Sequence, residues 1–471
     1  MESLKFLLVL VLLPFLVITL VIAENVNGEK RLLVLKHSDV HGEVGGHSRR
    51  CSPPHKSKSS NTETQNGATT TLEMRHQGRR HHHHLSPSQQ LLSDEARAQS
   101  IQSRPTTTAE ESAQVPLTSG VKLQTLNYVI TIELAAKKRT LIVDTGSDLT
   151  WIQCKPCSYC YSQQDPLFDP SLSPSYHPIP CSSPTCTTLP FSPSPSCATP
   201  SSTCAYALSY GDGSYTRGDL ARDTLTIANA TAEGFVFGCG RSNRGLFGGA
   251  SGLVGLGRSS LSLVSQTSAR FGGVFSYCLP SKAYDSSGSL TLGADYSVFR
   301  NETQLMFTRM VLNPRVRSFY MLNMTGMSVG GVGIAVASEG GVLIDSGTVI
   351  TRLPPSVYKA VRGEFLRQFS AYPVAPGFSI LDTCFNLTGY DEVEVPTLRM
   401  RFEGDVEVRV DVSGALYFVK RDASQVCLAL ASLAYEDDLG IIGNYQQKNL
   451  RVVYDTKQSV VGFAEETCSY S

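Results

Sequence analysis

Histidine is almost absent from most of this chain. Nine of its ten histidines fall at 37, 41, 47, 55, 76 and 81 to 84, and after residue 112 only His177 remains, in SPSYHPIP. A Ser-His-Asp or Cys-His mechanism needs an imidazole held beside its nucleophile by a third group. Nothing around His177 looks like a nucleophile elbow, so it reads as a surface-loop residue. Charge is scarce too: 17% of residues are charged and the formal net charge is zero. No global field therefore points to nucleic acid or an anionic membrane. In the body from about residue 113, helical patterns are few, with candidates only at SVYKAVRGEFLRQF (356–369) and near SLVSQT (262–267). Past the N-terminal segment, no run is apolar enough to span a bilayer.

What is present divides the 471 residues into a leader and a body. Residues 1–23 carry one basic residue, Lys5, then an uncharged apolar run ending at Ala23 before Glu24. That is the layout of a secretory signal peptide. A signal anchor is the competing reading, and Pro14 and the lack of a basic stop-transfer flank weigh against it. Residues 24 to about 112 are rich in Ser, Thr, Gln, Arg and His, including RRHHHH at 79–84. So little apolar content cannot cover the entropy of ordering the chain, so much of this leader is expected to be flexible in isolation. A short amphipathic helix is possible within 91–104. From about 113 the chain alternates apolar and polar residues in short runs, as in NYVITIEL (127–134), RDTLTI (222–227) and LRVVYD (450–455). Turn signals separate these runs, which makes the body β-rich.

The thirteen cysteines lie at 51, 154, 157, 160, 181, 186, 197, 204, 239, 278, 384, 427 and 468. Behind a signal peptide they read as a disulfide framework, and setting aside the isolated Cys51 leaves an even number. Four N-x-S/T acceptors, Asn229, Asn301, Asn323 and Asn386, fit the same secretory route.

One phrase occurs twice. LIVDTGS (141–147) and VLIDSGT (342–348) each set an Asp after an apolar strand and before a hydroxyl residue, a Gly and a second hydroxyl residue. The Gly lets the backbone turn back and aims the carboxylate out of the strand end. One such phrase is a common turn. Two copies, 201 residues apart, suggest duplicated lobes that bring Asp144 and Asp345 face to face. At about 4 Å and an effective dielectric near 20, two such charges repel by roughly 4 kcal/mol. The pair therefore holds one proton over a wide acidic range. One member can then take a proton from water while the other protonates a carbonyl oxygen.

Two further motifs compete for attention. CKPCSYC (154–160) has metal-ligand spacing but no fourth Cys or His nearby, which favours disulfides over zinc or an iron–sulfur cluster. GLVGLGRS (252–259) nearly matches a phosphate-binding loop, with Arg258 where Lys belongs and no strong helix after it.

Together these residues resemble the pepsin-like aspartic proteases, and within them the cysteine-rich plant branch called nepenthesin-like or atypical. The resemblance covers roughly 115–471. It implies an all-β, bilobal pepsin-like fold: two six-stranded-barrel-type lobes with a catalytic cleft between them and few short helices. The divisions it implies are a signal peptide at 1–23, a propeptide at 24–112, an N-terminal lobe with a Cys-rich insertion at 113–306 and a C-terminal lobe at 307–471.

The resemblance also assigns roles. Asp144 and Asp345 would be catalytic, supported by Thr145, Gly146, Ser147, Ser346, Gly347 and Thr348. SYGDGS (209–214) would be the flap over the substrate, with Tyr210, Gly211, Asp212 and Gly213, braced by Trp151, the chain's single tryptophan. Leu253-Val254-Gly255 and Ile441-Ile442-Gly443 would thread beneath the two loops. By resemblance Cys384 would pair with Cys427 and Cys278 with Cys468. The remaining assignments are guesses: Cys154–Cys239, Cys157–Cys160, Cys181–Cys204 and Cys186–Cys197. The implied protein is a monomeric, secreted acid endopeptidase of the apoplast, with vacuole or plastid as alternatives. It would act on extended peptide or protein substrates, with its own propeptide as intramolecular inhibitor. No cofactor, metal, nucleic acid or mature membrane contact is expected. The competing functions are a catalytically idle binding or inhibitor protein on the same fold and a DNA-associated plastid protease. A basic leader lying in a carboxylate-centred cleft, and released as its histidines charge, is the expected activation device.

Overall fold

A computed structural model describes residues 29–35, 70–75, 88, 91, 94, 125–187, 189, 202–210, 213–228, 230–281, 287–293, 305–314, 316–336 and 341–468. Strands dominate it. The alternation in VITIEL becomes the strand Val129–Leu134, with Thr131 outward and its neighbours Ile130 and Ile132 buried. It pairs antiparallel with Lys137–Asp144, in register from Leu134↔Lys137 to Val129↔Ile142. The two residues of the hairpin, Ala135 and Ala136, both sit at positive φ (52° and 55°). Such turns follow the strand twist but favour Asn and Gly, because a Cβ is crowded there.

Each lobe then repeats one crossing. The strand Gly252–Gly255 lies parallel to Lys137–Asp144, with Val254 opposite Val143, and antiparallel to Trp151–Gln153. The strand Gly440–Ile442 lies parallel to Val342–Ile344, and Ile441 pairs antiparallel with Arg352 of the strand Thr351–Leu353. In both, a glycine ends the inserted segment where backbone passes backbone. A Cβ on Gly255 would come within 2.2 Å of the Asp148 carbonyl oxygen, and one on Gly443 within 2.5 Å of that of Val349. The nearly phosphate-binding glycines at 252–257 are thus structural, forming a buried crossing strand.

A single run of strands joins the halves. In order it contains Val460–Glu465, Leu450–Asp455, Val274–Cys278 and Ser287–Leu292. The leader supplies the next member: Thr70–Arg75 pairs with Ser287–Leu292 on one side and, through Met74 and Arg75, with Val129–Leu134 on the other. A second leader strand, Lys30–Val34, pairs with Glu392–Pro396 on the C-terminal side. It is flanked by ion pairs of Lys30 with Glu394 (3.1 Å) and of Glu29 with Arg399. Residues of the low-apolar leader are therefore ordered by strands of the body rather than by a core of their own.

The sequence pattern at 356–369 becomes the helix Pro355–Gln368, opened by a proline at its first position, where no N–H is missed. Val357, Tyr358, Val361 and Phe365 form its buried stripe. The stretch at 262–267 gives a single turn, Leu263–Gln266, capped by the Ser262 hydroxyl. No helix among the described residues is long and apolar enough to cross a membrane.

Disulfides join Cys154 to Cys239, Cys157 to Cys160, Cys278 to Cys468 and Cys384 to Cys427. The first two account for three of the cysteines with metal-ligand spacing. Two expected pairings are wrong: Cys204 bonds to Cys186, not Cys181, and Cys186 is therefore not bonded to Cys197. The reason is the helical turn Pro184–Thr187, which carries the buried Cys186 back to within 5.8 Å (Cα to Cα) of Cys204. Cys181 is also disulfide-bonded, and Cys51 and Cys197 lie outside the described residues.

Candidate active site

The two Asp phrases end equivalent strands and are tied to equivalent partners. Asp144 follows Val143, whose N–H donates to the Tyr128 carbonyl (2.9 Å); Asp345 follows Ile344, whose N–H donates to the Tyr320 carbonyl (3.0 Å). Both carboxylates are fully buried. In each loop the glycine N–H reaches back to the aspartate, Gly146 to Asp144 at 3.1 Å and Gly347 to Asp345 at 2.9 Å. The crossing strands lock them from below. Leu256 N–H donates to the Asp144 carbonyl (2.8 Å), while Asp345 N–H donates to the Ile442 carbonyl (3.0 Å).

Across the 201-residue separation the loops interlock. Thr145 N–H donates to the Ser346 hydroxyl (3.1 Å), and Ser346 N–H donates to the Thr145 hydroxyl (2.9 Å). The Ser346 hydroxyl passes its own proton to the Val143 carbonyl (3.1 Å). All of this is buried, so each bond is shielded from competing water. The two third positions differ. Thr348 Oγ1 donates to Asp345 Oδ2 at 2.7 Å, whereas the Ser147 hydroxyl, although buried, makes no hydrogen bond among the described residues.

The tyrosine of SYGDGS, Tyr210, is held near Asp144, whose charge it feels. Trp151 Nε1 donates to the Tyr210 hydroxyl at 2.9 Å, and Phe247 packs edge-on against both rings. Burial, then Tyr206 and Asp144, push the Tyr210 phenol well above its usual range, so it stays neutral. Gly213 N–H closes the turn onto the Tyr210 carbonyl (3.0 Å). Gly211 and Asp212 lie outside the described residues. Of the glycosylation candidates, Asn386 is exposed, Asn323 is half-buried with Nδ2 donating to Glu403 (3.3 Å), and Asn229 and Asn301 lie outside the described residues. His177 is exposed in a two-residue strand, paired with Arg222.

Several contributors had no motif to announce them. Asn444 Nδ2 donates to the Ser346 carbonyl (3.0 Å) and to Asn127 (3.1 Å). Gln447 Nε2 donates to the Ile442 carbonyl (3.0 Å), and its side-chain oxygen accepts from Tyr277, whose hydroxyl also meets that of Tyr454 (2.7 Å). The one available signal was position: Asn444 directly follows the second apolar-apolar-Gly phrase, and Gln447 comes three residues later.

Two family models match in sequence order, one described as xylanase inhibitor N-terminal over residues 128–294 and one as xylanase inhibitor C-terminal over 319–465. Aspartyl protease AED1 of Arabidopsis thaliana is 42% identical over 390 residues, covering 80% of each chain. The chain belongs to the pepsin-like aspartic proteases of plants. Aspartic proteinase nepenthesin-1 of Nepenthes gracilis is 35% identical over 355 residues, 73% of this chain and 78% of that one. Solved structures of the pepsin-like fold agree in architecture. Basic 7S globulin from soybean superposes with a TM-score of 0.62 at 18% identity, covering 86% of this chain and 99% of that one. Conglutin gamma from lupine seeds gives 0.58 at 19%, covering 72% and 92%. These two establish the fold alone. The protease relatives support a pepsin-like peptidase acting on peptide substrates.

Proposed function

We propose that this pepsin-like protein is a secreted aspartic endopeptidase, made as a zymogen, in which Asp144 and Asp345 form the catalytic pair. The reciprocal bonds between Thr145 and Ser346 carry this reading, because they hold the residues next to each Asp in contact. Two carboxylates so placed keep one proton between them. The ionised one takes a proton from water as its oxygen attacks the amide carbon, and the protonated one gives its proton to the carbonyl oxygen. The resulting diol collapses, and the amine leaves with a proton returned from the pair. Thr348 and the glycine N–H groups fix the carboxylates in orientation, and Tyr210 stands over the place where an extended peptide would lie. The disulfides fit an oxidising compartment, and residues 1–23 and 24–112 would serve as signal and propeptide.

The second reading is a catalytically idle binding protein of the same fold, which the descriptions of the two matching family models keep in view. Both Asp phrases are whole here, which favours the enzyme. Hydrolysis of a denatured protein between pH 2 and 7, with and without pepstatin and beside Asp345→Asn, separates the two. Acidic activity lost in both arms supports the pair. No activity from matured, disulfide-intact protein would overturn it in favour of the scaffold.

A further inference from the structure

The leader touches the catalytic lobe at a point that no motif marks. Asp94 is fully buried, and its two oxygens accept from two consecutive amides, Val349 N–H at 2.7 Å and Ile350 N–H at 3.1 Å. The second oxygen also takes Arg352 Nη2 at 2.8 Å, and that guanidinium is fully buried too. Three donors thus converge on one carboxylate, each bond charge-assisted and shielded from water.

Leu91 and Ser88 extend the contact. Leu91 is buried in an apolar cluster with Leu126, Val349, Ile350 and Leu381. The Ser88 carbonyl accepts from the Ser379 hydroxyl at 3.1 Å. Residues 88, 91 and 94 are all helical and spaced by three, so they share one helix face. The face offers an apolar residue and, one turn on, an acid. Val349 and Ile350 follow Asp345 by four and five residues, and Tyr445 N–H, beneath, donates to the Val349 carbonyl (3.0 Å). The contact therefore lands on the turn that carries the second aspartate.

We infer that the turn Val349–Arg352 is a carboxylate receptor that holds the leader on the catalytic lobe through the helix face Ser88, Leu91 and Asp94. Its ligand class is an acidic helical peptide with Leu and Asp three residues apart. This deepens the zymogen reading and rests on it. At this contact the leader grips with an acid on a buried base. His81 to His84, the expected agents of release, lie outside the described residues.

The test uses the full chain with a cleavage site for an added protease placed between residues 105 and 118. After cutting at neutral pH, dissociation of the labelled leader on dilution is timed for the wild type, Asp94→Asn and Glu95→Gln. Asp94→Asn turns an amide NH2 toward one of three donors and is expected to release the leader at least tenfold faster, with Glu95→Gln unchanged. Equal rates for Asp94→Asn and wild type, or equal acceleration by Glu95→Gln, would overturn the receptor. If Asp94→Asn does not fold, the cut wild-type complex is challenged with peptides of residues 86–104. The native peptide should displace the leader at a tenfold lower concentration than its Asp94→Asn form, and equal potency would sink the proposal. Neither readout depends on peptidase activity, so a failed dyad and a failed receptor give different results.

Discussion

Replacing Ser346 by alanine removes one oxygen from the interlock and breaks two bonds, the one it accepts from Thr145 N–H and the one it donates to the Val143 carbonyl, both 3.1 Å. Thr145 is fully buried, so its N–H is left without an acceptor. That costs about 1–3 kcal/mol, and the lost second bond adds about 1. Thr145→Val likewise strips the acceptor from Ser346 N–H, at a similar cost of about 1–3 kcal/mol. Simple addition would put the double variant at roughly 3–7 kcal/mol. The two bonds close one ring between the loops, however, and opening either half already releases the geometry that the other needs. The double variant is therefore expected to lose little more than the worse single, leaving a coupling of about 1–2 kcal/mol. The assay is kcat/KM on a quenched peptide at acidic pH for all four proteins, converted to free energies at about 1.4 kcal/mol per tenfold. Effects that add to within about 0.5 kcal/mol would refute the interlock as a unit.

Tyr210→Phe takes the acceptor from the buried Trp151 N–H and is expected to lower kcat/KM by about tenfold, from a cost of roughly 1–3 kcal/mol. Trp151 is the only tryptophan, so its emission should shift in the same variant, and an unchanged spectrum would count against the bond. Replacing Ala135-Ala136 with Asn-Gly relieves two residues at positive φ and should raise stability by about 1–2 kcal/mol, read as a higher melting temperature. Burial holds the Lys448 ammonium down at about 7, against an opposing pull from Asp411. Between that value and its ordinary value near 10.5 the unfolded chain binds the extra proton, so stability should rise with pH across this window. Lys448→Met should flatten that rise in thermal melts from pH 7 to 10, and an undiminished slope would show that another group titrates there.

The features legible in the sequence were those written as local chemistry. The Asp phrases needed a strand, a glycine turn and flanking hydroxyls, and each requirement leaves its own residue type behind. The helix at 355–368 showed because its buried positions recur with helical spacing and a proline opens it. The pairing of Cys186 with Cys204 did not show, because a four-residue helical turn between prolines and threonines has no periodicity to read. Asp94 was hidden for a different reason. Its partners are two backbone amides, which have no letter in a sequence, and an arginine 258 residues away. The leader strands were missed because they borrow their hydrophobic surface from the body, and composition measures only what a segment brings itself.

The strand Thr70–Arg75 sits between Ser287–Leu292 and Val129–Leu134 as an interior member of the sheet that joins the halves. Its departure would uncover two facing rows of amides and carbonyls at once. The rows would stand about 9.6 Å apart, two strand spacings, too far to bond to each other across the gap. Such exposed edges invite pairing with whatever extended chain is near, including another copy of the protein. If the leader is shed, as the proposed zymogen requires, the slot would have to be refilled from the molecule's own chain. On that reading, a cut that leaves a replacement strand would close the seam, and a cut that leaves none would keep it adhesive. On the zymogen reading, where the leader is severed would decide solubility as well as release.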